Sequence, residues 1–137
     1  MRLFETASAG QDNVQQVIDN ARASNRAVMF IDVDWAMTEI YHQQFAEFAV
    51  EYFKKHPTDS LRFHFADCTA VSKNYASLRA IPGWTTLMDD AGTAMIHGHG
   101  EIAWLADGHV LRVQKIADFA TPSELIESTE DLLPADG

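Results

Sequence analysis

The stretch Ala27-Val28-Met29-Phe30-Ile31-Asp32-Val33-Asp34-Trp35 decides how this chain is read. From Ala27 through Ile31, and again at Val33, it is apolar and partly β-branched. Such a run is typical of a central strand covered on both faces. Residues 27–33 are therefore expected to form the middle of a sheet.

Working outward, residues 37–56 place Met37, Ile40, Tyr41, Phe45, Phe48, Ala49, Tyr52 and Phe53 at three- and four-residue intervals. Glu39, Gln43, Glu47, Glu51 and Lys54 take the other faces, which is the pattern of a long amphipathic helix. Lys54, Lys55 and His56 suit the negative end of its dipole, and Pro57 cannot continue it. Upstream, residues 2–7 read as a short first strand. Val14, Val17, Ile18 and Ala21 then mark a helix over residues 12–23.

Downstream, Leu61, Phe63 and Phe65 alternate with Arg62, His64 and Ala66, the period of a strand. Thr69 can cap a shorter helix containing Val71, Tyr75 and Leu78, which Ile81-Pro82-Gly83 breaks. Residues 101–106 and 109–115 flank Asp107-Gly108, a pair suited to the positive φ angles of a two-residue hairpin turn. Thr121-Pro122-Ser123-Glu124 supplies a cap, a proline at the first helical position and a glutamate three residues after the cap. A last amphipathic helix follows and ends at Pro134. Strands alternating with helices, then a hairpin and a closing helix, imply a mixed sheet with helices on both faces.

The 137 residues, 47% of them hydrophobic, suffice for one packed core, so residues 1–137 are read as a single domain. Ten basic residues against 20 acidic ones leave a net charge of −10, which repels phosphate backbones and anionic lipid surfaces. Nucleic acid and membrane partners are not expected. No apolar run approaches the roughly 20 residues that cross a bilayer, and the N-terminus lacks the apolar core of a secretory signal. The expected location is the cytoplasm. Cys68 is the single cysteine, which rules out a disulfide within the chain, a Cys-x-x-Cys pair and a cysteine-rich zinc site.

The order of elements resembles the thioredoxin fold, over roughly residues 1–133. The run from Ala27 to Trp35 is similar to that family's central strand and the tryptophan before its active-site motif. Ile81-Pro82 is similar to its cis-proline loop, and Trp104 through Val110 to its last hairpin. The resemblance implies a three-layer α/β/α domain with a central mixed sheet, here with an insertion, residues 84–100, before the C-terminal hairpin. It places the two redox cysteines at Ala36 and Glu39, neither of which can form a thiolate or a disulfide. It also places Phe30 where the family keeps a buried acid. A dithiol oxidoreductase is thereby excluded, and no cofactor is expected.

On the family's geometry, Trp35, Ala36, Glu39, Ile81, Pro82 and Trp84 would converge on a tryptophan-lined surface beside a helix N-terminus. In the family that surface grips extended peptides, and aromatic residues are efficient anchors. The expected function is that of a redox-inactive module binding a protein or peptide. The same tryptophans equally suit packing against the insertion. A different class of function would use Cys68 as a thiol, or His97 and His99 as metal ligands. The two histidines share a face if extended, but Gly98 and Gly100 more simply mark a turn. Asp32, Asp34 and Glu39 read as a solvated acidic rim. Oligomeric state has no signal in the sequence.

Overall fold

The computed structural model describes residues 4–5, 11–32, 39–67, 80–83 and 101–135. In chain order they form β1 (Phe4–Glu5), α1 (Gln11–Ala23), β2 (Arg26–Asp32), α2 (Glu39–Lys55), β3 (Arg62–Asp67), β4 (Glu101–Ala106) and β5 (His109–Lys115). A single 3-10 turn, Ile116–Asp118, then leads to a last helix, α3 (Pro122–Leu132). The helix expected after Thr69 and the insertion at 84–100 lie outside the described residues.

The five strands form one mixed sheet in the order β1-β3-β2-β4-β5. The apolar run of β2 is central, as its composition requires: Val28 stands between Phe63 of parallel β3 and Trp104 of antiparallel β4. Because side chains alternate across a strand, β2 feeds two cores. Met29 and Ile31 join Val17, Ile18 and Ala21 of α1 on one face. Val28 and Phe30 join Phe45, Phe48 and Tyr52 of α2, together with Leu125 and Ile126 of α3, on the other. This is a three-layer α/β/α arrangement.

The second core is aromatic. Phe30 is fully buried and stacks on Phe45 with ring centroids 4.9 Å apart, while Phe48 meets Phe63 edge-on at 5.1 Å. Offset and edge-to-face contacts of this kind suit the ring quadrupoles and add to the area buried. Phe30, where the resemblance would place a buried acid, is thus part of an apolar stack.

Local signals set the turns. Asp107 and Gly108 have φ of 51° and 82°, the left-handed pair that a tight hairpin needs. Thr121 caps α3 by accepting a hydrogen bond from the Glu124 N–H, and Pro122 opens the helix. Glu124 reaches back to accept from the Ala120 N–H at 2.6 Å. The hairpin also contains a bulge that the alternation of its residues does not announce. Trp104 is opposite Arg112 while Leu105 is opposite Val110, so Leu111 is the extra residue of β5 at this point. A bulge with Arg112 beside it twists β5, the edge of this sheet, away from regular pairing with another strand.

Gly83 is a position where the backbone demands glycine. Its φ is +91°, and a Cβ there would lie 2.3 Å from the Val110 carbonyl oxygen. For an L side chain this conformation costs roughly 1–2 kcal/mol. The clash would also displace Pro82, whose carbonyl accepts a 2.8 Å hydrogen bond from the Val110 N–H, a bond worth about 1 kcal/mol. Gly83→Ala is expected to cost about 2–3 kcal/mol in urea unfolding. A variant as stable as the wild type would show that Ile81–Gly83 does not dock on β5 in this way.

Candidate functional site

At the carboxyl end of β2, beside that of parallel β3, the chain leads toward α2, whose N-terminus is expected to border the binding surface. Parallel pairing brings Asp32 and Asp67 into register there. Glu39 is the first residue of α2. Within the first turn of that helix Ile40 is 59% exposed, the more exposed of the two exposed large apolar side chains among the described residues. Tyr41 packs partly against the aromatic core, and the His42 ring lies 4.5 Å from that of Phe65. Glu101, the first residue of β4, is buried opposite Ile31.

Ile81 and Pro82 are elsewhere. Pro82 is bonded to Val110, which pairs with Leu105, and Leu105 pairs in turn with Ala27 at the start of β2. Pro82 therefore sits at the hairpin end of the sheet. Glu39 is at the opposite end, because α2 runs antiparallel to β2, with Phe45 over Phe30 and Tyr52 beside Arg26. At about 3.3 Å per residue, the strands hold these two ends well over 10 Å apart. Ile81 is 1% exposed and belongs to the core under α1, so it presents little to a partner. Among the described residues no peptide bond is cis, so Ile81-Pro82 is trans, unlike the loop it resembles. Trp35, Ala36 and Trp84, like Cys68, His97 and His99, lie outside the described residues.

The hairpin end holds the most elaborate polar cluster among the described residues. Arg26 makes a two-pronged ion pair with Asp59, at 2.7 and 3.1 Å, and donates a 2.7 Å hydrogen bond to the Leu133 carbonyl. Tyr52 donates its hydroxyl proton to Asp59, whose side chain is only 1% exposed. Two further pairs tie α2 to α3: Lys55 and His56 both reach a carboxylate oxygen of Glu130, at 2.8 and 2.7 Å. The hydrogen bond from Lys55, then that from His56, holds the Glu130 carboxyl below its ordinary value. These groups bond to one another and to backbone, which is the chemistry of a clamp joining β2, α2 and α3. Nothing in the sequence periodicity announces it, since Arg26 and Asp59 are 33 residues apart.

Burial first, and then the bond to Asp59, outweigh the Arg26 guanidinium and push the Tyr52 phenol up to about 12. A raised phenol pKa means that the folded state favours the neutral form. The resulting stabilisation is complete below pH 10, the ordinary value, and is lost as pH rises through about 12. Urea midpoints are therefore expected to fall more steeply above pH 10 in the wild type than in Tyr52→Phe. Parallel curves would show that Tyr52 titrates alike in both states.

No protein-family model matches the sequence. No curated protein matches it either. Solved structures do resemble it. Human ERp44 in its zinc-bound form superposes with a TM-score of 0.56 at 13% identity, over 92% of this chain and 31% of that one. This chain thus spans about a third of ERp44. A structure described as the thiol resolving mechanism in yeast mitochondrial 1-Cys peroxiredoxin via glutathione/thioredoxin systems superposes at 0.51 and 12% identity, over 92% of this chain and 93% of that one. A mutant thioredoxin from Halobacterium salinarum gives 0.45 at 15% identity, over 93% and 95%. The sheet order and the first two likenesses define the class: the chain has a thioredoxin-like fold. Among the described residues no helix is long and apolar enough to cross a membrane.

Proposed function

We propose that this chain is a redox-inactive thioredoxin-like module that binds a protein or an extended peptide in the cytoplasm. The observation that carries the reading is the combination of this fold with a single cysteine. Residues 33–38, between β2 and α2, are Val33-Asp34-Trp35-Ala36-Met37-Thr38 and hold no thiol. A scaffold without the dithiol has no nucleophile for exchange at that position, which supports a binding role there. The proposed contact residues are Glu39, the first residue of α2, and Trp35 and Ala36, which precede it in the sequence. Trp84 is retained as a candidate, whereas Ile81 and Pro82 stand at the other end of the sheet. The net charge of −10 disfavours nucleic acid and anionic membranes as partners.

Affinity capture from a lysate of the source organism tests this. Wild type, Trp35→Ala and Cys68→Ser would be compared under reducing and non-reducing conditions. Partners kept by Cys68→Ser and under reduction, but lost by Trp35→Ala, are the expected result. Partners lost with Cys68 alone would overturn the reading and point to thiol chemistry. Undiminished capture by Trp35→Ala would remove the proposed surface.

A further inference from the structure

We draw no further inference here: the strongest candidate, the acidic cluster at the carboxyl ends of β2 and β3, where Asp32 and Asp67 stand in register and Glu101 is buried one strand away, has nothing among the described residues that points to a ligand.

Discussion

Trp104→Ala is expected to remove about 3–5 kcal/mol of stability, the range for truncating a large buried aromatic residue. Trp104 is fully buried on β4, opposite Val28, in the core shared with α2 and α3. Its indole N–H donates a 2.9 Å hydrogen bond to the Thr129 hydroxyl, which itself donates to the Leu125 carbonyl at 2.7 Å. Truncation therefore leaves a cavity and also removes a buried side-chain bond between the sheet and α3. Domains of this size are stable by only about 5–15 kcal/mol, so the variant would approach the threshold of folding. Trp104→Phe separates the two effects, because it keeps most of the apolar volume and loses the donor. It should cost about 1–2 kcal/mol. Urea unfolding followed by far-ultraviolet circular dichroism measures both. A loss below about 1 kcal/mol for the alanine variant would mean that this core is packed otherwise.

The second large effect is expected at Arg26. Arg26→Ala withdraws the guanidinium from Asp59 and from the Leu133 carbonyl. Removing one partner of a buried ion pair leaves the other charge desolvated, which typically costs several kcal/mol. Arg26 is 14% exposed and Asp59 only 1%, so a loss of about 3 kcal/mol is expected. Because the clamp also holds the end of α3, amide exchange in residues 122–132 should rise more than exchange in α1. The double variant Arg26→Met with Asp59→Asn should recover part of the loss, since no buried charge then lacks its partner. Equal destabilisation of the single and double variants would show that Asp59 is not charged in the folded protein.

Most elements could be read from the sequence because their signals are local. The alternation of Leu61, Phe63 and Phe65 yields β3, displaced by one residue to Arg62–Asp67. The three- and four-residue spacing from Met37 to Phe53 yields α2, which begins at Glu39. Asp107-Gly108 adopts the positive φ angles that its composition suggests. The bulge at Leu111 and the 3-10 turn at Ile116–Asp118 escaped, because neither has a periodicity: each depends on how β5 meets β4 and α3.

The candidate site was less legible. Glu39 does open α2 at the carboxyl end of the sheet, as a chain passing from β2 into a helix must. Ile81-Pro82 was placed beside it only by resemblance. In the fold that turn docks on Val110 at the far end, where Gly83 lets the two backbones come closer than a Cβ would allow. The short motif records a turn, and says nothing about which strand the turn will rest upon.

By itself the sequence determined the central strand, the amphipathic faces of the helices, the hairpin turn and the want of a second thiol. Each is a property of neighbouring residues or of composition, and needs no knowledge of distant contacts. The tertiary structure alone decided the strand order, the separation of Pro82 from Glu39, and the meeting of Arg26, Tyr52, Asp59 and Leu133. These join segments far apart along the chain, and their energies exist only once burial has removed the water between them.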